Sequence, residues 1–503
     1  MPAIITEKFR QSNATAFSND ISTSKYYMFL GKSQTWESEG SSSDTQPPAP
    51  VDSVAPESYY WDDMLASKLI SSKSFVVPRR DWSSTSTFDM YRHDISSSAT
   101  SSSGATNLYD SSFYFKTSAH NVYKVLFNGD NAQTGASAIG GTTEPNGTGP
   151  APFFQTGTGY FLKYMYTMSA SDVQNYLTTD FMPVILKSEN IADTNHVRGV
   201  FVFLVTSGGS YANVPNGNYY TKLRGDGSGA IARLVVENNT IKSFGDGNSV
   251  MQNFGSGYSF ASFDLSGSNI FTDLTATTPL NNTYVGEGGA TGLLTAWNNA
   301  TAASITPIID PAGSHGSNDV EELGGHFVML QAKFEPADVD ATQVNDFRRV
   351  GIVKNPEVSG GGSAFTASTA RNTNAVLLAT GSGNYQVDEV ITQNGTNASG
   401  RVVEWDSANK ILYYVQEKYA TYGLDANSNL TLFSGTGTIQ GGTSSVTYTP
   451  SSSSSTVNNV VFSSGYANPE MKRDTGEIIY VENRRPISRA SDQTEDIKVV
   501  VEF

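Results

Sequence analysis

Cysteine is absent from the 503-residue chain, which removes disulfides, thiolate zinc sites, iron–sulfur clusters and cysteine nucleophiles at once. Charge is scarce: 16% of residues are charged, against a usual ~25%. What charge there is leans acidic. Lys+Arg 32 against Asp+Glu 48 leaves −16, so the basic footprint of a nucleic-acid binder is missing and no nucleic acid is expected as a partner. Histidine is rare, and no two of His93, His120, His196, His315 and His326 stand at the i, i+4 spacing that aims both rings at one ion; no metal site is expected. Long apolar runs are also missing. The run Gly199–Val205 is far short of the ~18 residues that span a bilayer, so it reads as a core strand and no membrane partner is expected. The first residues, Met1 to Lys8, do not lead from a basic region into an apolar one, so export through a cleaved signal is not expected.

What is present is 46 glycines with many Ser, Thr and Asn, polarity without charge that suits strands and turns. The length fits about two to five domains. Tyr26–Leu30 reads as a strand, and Pro47–Pro50 as a bend. Pro56 followed by Trp61, Met64, Leu65 and Leu69 reads as an amphipathic helix. Ser169 with Asp172 opens a second helix, and a third runs from Asn318 to Leu323 and stops at Gly324. The polar segments 96–103, 132–149 and 451–455 read as loops. Near the C-terminus Ile478–Val481 is a strand, Asn483–Pro486 a turn, and alternating Ile497, Val499, Val501 and Phe503 a final strand.

Two stretches, about 200–297 and 360–449, are dense in Gly, Asn, Thr and Tyr and read as small β-rich modules. Gly208-Gly-Ser-Tyr211 and Gly381-Ser-Gly-Asn-Tyr385 each lead towards a strand; a duplicated module and ordinary turn chemistry explain this equally well. Their aromatics Tyr219, Tyr220, Tyr258, Trp405, Tyr413 and Tyr414 fit a module core better than a binding platform.

Chemistry is mostly missing. Asp425-Ala-Asn427-Ser-Asn429 imitates the start of a calcium loop, but Leu430 and Thr436 occupy the positions that want Gly and Glu, so it reads as a turn. The Gly-rich segments 225–229 and 360–362 lack the Lys-Ser/Thr of a phosphate loop. No G-x-S-x-G elbow occurs, and Ser22-Thr-Ser-Lys25 matches S-x-x-K only by chance in a Ser-rich chain. The carboxylate pairs Asp62/Asp63, Glu321/Glu322 and Asp338/Asp340 read as solvated acidic surface, although glycosidase pairs leave no spacing signature. No catalytic residue and no cofactor are assigned.

Three basic clusters stand out: Arg79 and Arg80 before Asp81 and Trp82; Arg348 and Arg349; and Arg484 and Arg485 after Glu482 and Asn483. Arginine beside acids and aromatics holds carboxylates or carbonyls through its planar fork, inside the fold or across an interface. These ten residues are the candidate interface or structural ion-pair residues, and at least one of Arg484 and Arg485 is expected in a buried pair.

The same segments carry a resemblance. Val77-Pro-Arg-Arg-Asp-Trp82, Phe347-Arg-Arg-Val-Gly-Ile-Val-Lys-Asn-Pro356, and Gly476–Pro486 followed by Asp492–Ile497 resemble the family of baseplate wedge subunits, commonly numbered eight, of T-even-type contractile-tailed phages. Weaker likeness runs through Gly31–Trp36, Pro50–Val54 and Gly157–Tyr164. The low charge and Gly/Ser/Asn richness resemble proteins of marine cyanobacterial phages. The resemblance implies a structural virion protein of the tail baseplate, made in the host cytoplasm, without enzymatic activity. It implies a homodimer among other wedge proteins, serving assembly and conformational switching. The expected fold is mainly β with a few short helices: a multi-domain, β-sandwich-like frame from N- and C-terminal segments with inserted β-rich modules. In residues, the frame is 1–199, 301–359 and 451–503, and the modules are 200–300 and 360–450. The modules are candidates for host-surface contact, and a receptor- or carbohydrate-binding tail protein is the alternative reading.

Overall fold

A computed structural model describes residues 4–32, 36, 46–52, 59–70, 72–84, 86–129, 144–155, 159–185, 194–245, 247–275, 278–281, 292–335, 346–416, 423–427, 429–487 and 493–503. Pro56, Asp338, Asp340 and residues 132–143 of the expected loop lie outside the described residues. The chain is mainly β and divides into two compact units, one of residues 1–15, 74–329 and 501–503, the other of 16–73 and 330–500. The chain passes between units within helix α1 (Glu7–Thr23) and within the strands Ser72–Pro78, Phe327–Phe334 and Glu495–Glu502.

The first unit is built on aromatic strands. Asn121–Asn128 lies between Tyr114–Lys116 and Tyr160–Thr167, all antiparallel, and each of its eight residues is buried. A strand covered on both faces has no polar side to show water. The strands Val200–Ser207 and Ser304–Ile309 pair with each other, and Gly217–Lys222, Ser228–Glu237 and Val250–Ser256 form a further sheet. The stretch 200–300 shares one hydrophobic core with residues 77–184. Phe244 marks the join, its ring 5.1 Å from Phe127, 5.8 Å from Phe161 and 5.3 Å from Phe203. Two short helices of this unit start and stop as their sequences dictate. In α2 (Ala170–Tyr176), Ser169 and Asp172 form a reciprocal capping box. In α4 (Asp319–Leu323), which follows α3 (Leu293–Asn298), the Asn318 side chain accepts from Glu321 N–H and Gly324 closes the end at φ +81°.

The second unit holds a five-stranded antiparallel sheet of β1 (Tyr26–Gly31), β2 (Met64–Leu69), β3 (Phe347–Lys354), β4 (Thr369–Arg371) and β5 (Glu477–Ile487), in the order β4-β2-β1-β3-β5. Tyr27, Phe29, Trp61, Met64, Val353, Phe365 and Met471 pack in its core. Gly351 is required at the centre, because a Cβ there would meet the Phe29 ring and the Tyr480 carbonyl.

Two expectations are corrected here. The apolar stripe from Trp61 to Leu69 is not a helix: a helical turn ends at Asp62 and Met64–Leu69 is β2. Met64, Leu65, Ala66 and Ser67 are all buried, so both faces carry apolar or small residues and mimic helical spacing. Asn483–Pro486 is not a turn but the second half of β5. Proline, having no N–H to donate, is tolerated there because β5 is the outermost strand of its sheet.

The stretch after β4 forms a closed barrel. Asn374–Ser382 pairs Ile411–Val415, which pairs Ser399–Asp406, then Val390–Gln393, Ile439–Gly441 and Thr447–Pro450, and the last returns to Asn374–Ser382. Val376, Ile391, Val402, Leu412, Tyr414 and Ile439 fill it. Its neck is narrow: Glu470 N–H donates to Arg371 C=O at 2.9 Å, and Arg371 Nη2 to Asn468 C=O at 2.7 Å.

Candidate functional site

The candidate residues fall into two clusters, one in each unit. In the second unit, β3 places Arg349 opposite Asn483 of β5 and Gly31 of β1. Its guanidinium donates to Asn483 Oδ1 at 2.9 Å and to Asp63 Oδ2 at 2.5 Å, and lies 4.7 Å from the Tyr60 ring. Both members of the ion pair are buried. Trp36, fully buried, lies 5.5 Å from the same guanidinium and 4.5 Å from Lys32 Nζ, and its indole N–H donates to Arg484 C=O at 2.7 Å. Next to Asp63, Asp62 pairs with Arg473 at 2.5 Å. Asp62 at the end of a helical turn and Asp63 just after it are therefore two neighbouring carboxylates held by two arginines that are distant in sequence. Such geometry orders segments against each other; a buried charge left alone is costly.

Around this node, Arg348 pairs with Asp346 at 2.8 Å. Glu482 accepts from Tyr480 Oη at 2.8 Å and from Arg484 Nε at 3.0 Å, and Asn483 donates to Pro48 C=O at 2.8 Å. Arg485 is exposed, and the Arg484–Glu482 pair is 40% exposed on each side. The buried arginines of this cluster are thus Arg348 and Arg349 of β3, not Arg484 or Arg485, which lie on the outermost strand β5.

In the first unit Arg79 forks onto Asp81, with Nε at 3.1 and 3.0 Å from its two oxygens, and donates to Thr178 C=O at 2.8 Å. Asp81 also meets Lys116 Nζ at 2.7 Å. Burial alone would raise its carboxyl, but Arg79 and Lys116 together hold it below the usual range. Arg80 reaches the Ser111 carbonyl and lies 4.5 Å from the Tyr114 ring. Trp82 packs on the core and its N–H donates to Lys116 C=O at 2.8 Å.

A third cluster was not anticipated. Lys124 Nζ, buried, sits 2.8 Å from Glu322 Oε2 and 4.1 Å from the Tyr91 ring. His315 Nε2 is 3.0 Å from Asp310 Oδ1, and its Nδ1 is 3.8 Å from Glu322. Glu322 also accepts the N–H groups of Gly316 and Ser317 at 2.7 and 2.8 Å. Burial would raise Glu322, but Lys124 and His315 outweigh it and hold the carboxyl at about 2; burial raises Asp310. The sequence signal was Lys124 itself, a cation inside the otherwise apolar and aromatic run from Val122 to Phe127. Its partner lies 198 positions away, and so could not be read. Glu322, Asp62 and Asp63 are accordingly buried and paired rather than part of a solvated surface.

The remaining candidates resolve simply. Asp425 Oδ1 accepts the N–H groups of Asn427 and Asn429 at 2.8 and 2.9 Å, closing a turn. Tyr219, Tyr258, Tyr413 and Tyr414 are buried.

Comparison with known proteins bears on this arrangement. The family model described as "Bacteriophage T4, Gp8" matches residues 3–127 and 447–503. The baseplate wedge protein gp8 of Enterobacteria phage T4 is 26% identical over 209 residues, covering 36% of this chain and 60% of that protein. The likeness to baseplate wedge subunits drawn from the sequence is borne out by both. The family-model match takes in α1, β1, β2 and β5 with Asp63, Asn483 and Arg79–Trp82, whereas β3, Arg349 and residues 374–446 of the barrel lie outside it.

Proposed function

We propose that the chain is a structural subunit of the tail baseplate wedge of a contractile-tailed phage, acting by protein–protein contact rather than catalysis. The observation that carries this reading is that the two matched segments, separated by some three hundred residues of sequence, supply β1, β2 and β5 to one sheet. The likeness therefore follows a shared piece of architecture rather than a local motif. On this reading the protein resides in the virion tail baseplate, assembles as a homodimer with neighbouring wedge proteins, and takes part in baseplate assembly and in the conformational change of infection. Arg79, Arg80, Arg484 and Arg485 are the candidates for contacts between subunits. Negative-stain imaging of virions labelled with an antibody to this chain tests the placement: label at the tail tip is expected, and label elsewhere refutes it. Sedimentation equilibrium tests the dimer, which a purely monomeric protein at micromolar concentration would exclude.

A further inference from the structure

The outermost strand β5 borders a groove of about 390 Å³ in the second unit, lined also by Pro50, Val51, Asp52 and Tyr60. That volume lies within the ~300–1,000 Å³ of binding clefts. Four consecutive residues of β5, Ile478 to Val481, line the groove. Side chains alternate between the faces of a strand, so a groove on one face would show only every second residue. The groove therefore follows the rim of β5, where N–H and C=O groups point away from β3. The register slips between Ile352 and Val353, leaving Ile479 without a partner on β3. Ile479 is 42% exposed and Val51 61% exposed.

Among the described residues lining the groove, the charged one is acidic. Asp52 lines it, Glu477 begins the strand beside it, both are exposed, and neither carboxylate has an ion pair or hydrogen bond among the described residues. Past it, the Arg484 carbonyl already accepts from Trp36 and the Asn483 side chain is bound to Pro48. Among the described residues, the rim left without a strand partner is therefore short, with Asp52 and Glu477 beside it.

We propose that this groove receives an extended segment of a partner protein, which adds as a strand to the rim of β5 between Ile478 and Glu482, sets apolar side chains against Ile479 and Val51, and places a lysine or arginine beside Asp52 and Glu477. Strand addition draws affinity from main-chain hydrogen bonds and specificity from the side-chain contacts. This deepens the wedge reading by naming the chemistry of one neighbour, and rests on that reading only for the neighbour's being a baseplate protein.

The test titrates the full chain into a fluorescent, capped hexapeptide of alternating valine and threonine with one central lysine. Saturable anisotropy is expected. Methylating alternate backbone nitrogens of the peptide should abolish binding, an arm that needs no variant protein. The double variant Asp52→Lys, Glu477→Lys should weaken the lysine peptide about tenfold or more and favour a glutamate peptide instead, because both attractions become repulsions. No saturable binding, or binding indifferent to both N-methylation and charge reversal, overturns the proposal. So does sedimentation showing that a second copy of the chain occupies this rim. Virion labelling away from the tail tip would remove the wedge reading while leaving the peptide result standing.

Discussion

Arg349 ties Asp63 and Asn483 together from the middle of the sheet, and its contribution should be large. Replacing it with Ala strands the buried Asp63 carboxylate, which costs about 3–5 kcal/mol when a buried pair loses one member. Arg349→Lys should recover only part, since an ammonium cannot engage Asp63 and Asn483 with one planar fork. Arg484→Ala should cost less than about 1 kcal/mol, as its pair faces solvent. Urea unfolding of the three variants checks the ranking. Asp388 offers a pH test. Burial, then the charge of Asp346, push its carboxyl up to about 6 despite Arg348 and Arg401. A carboxyl raised in the folded state favours the fold when protonated, so its contribution is present below the unfolded value near 3.8 and lost as pH rises through about 6. Asp388→Asn, which suits the φ of +64° at this position, should remove that loss. Unfolding from about pH 4 to 7 should show the wild type falling relative to the variant. The sequence marked Arg349 as an anchor, yet its partner Asp63 was read as surface. Spatial pairing across 286 positions leaves no trace in spacing.

Elements were legible where local chemistry decides them. Ser169–Asp172 and Asn318–Gly324 begin and end helices by hydrogen bonds made within a few residues, so they could be read directly. Helix α1 could not: Glu7–Thr23 is rich in Ser, Asn and Thr and shows no apolar stripe, although Gln11, Ala14 and Ile21 are buried. The error at β2 has the opposite cause, apolar residues on both faces of a covered strand. The centre of the β1-β3-β5 sheet has its own test. Gly351→Ala pushes a methyl against Phe29 and the Tyr480 carbonyl, an overpacking that should cost about 1–3 kcal/mol. A lowered melting temperature with unchanged far-ultraviolet dichroism is the expected signature, and an unchanged melting temperature would contradict the packing described for β3.

At the scale of the whole molecule, the barrel and the stretch 200–300 should behave differently. The barrel leaves the frame at Arg371 and returns at Asn468 and Glu470, which are hydrogen-bonded to it, and its core is its own. Replacing residues 373–467 with a short Gly-Ser linker should leave a soluble, cooperatively unfolding protein, since closing such a gap costs little. Removing 200–300 should yield insoluble protein, because Phe203 and Phe244 share the aromatic core with Phe127 and Phe161. Expression of both deletions, followed by calorimetry, decides this. The interleaving of the two units also has a consequence in time. Strand β3 emerges from the ribosome roughly 280 residues after β2, a delay of about 15–55 s at ~5–20 residues per second. During that interval the aromatic side chains of β1 lack the strand that will lie beside them, while the core of the first unit, complete by Leu323, is free to fold. A nascent chain stalled before Phe347 would hold a half-built sheet, with β1 bare along the edge that β3 is to occupy.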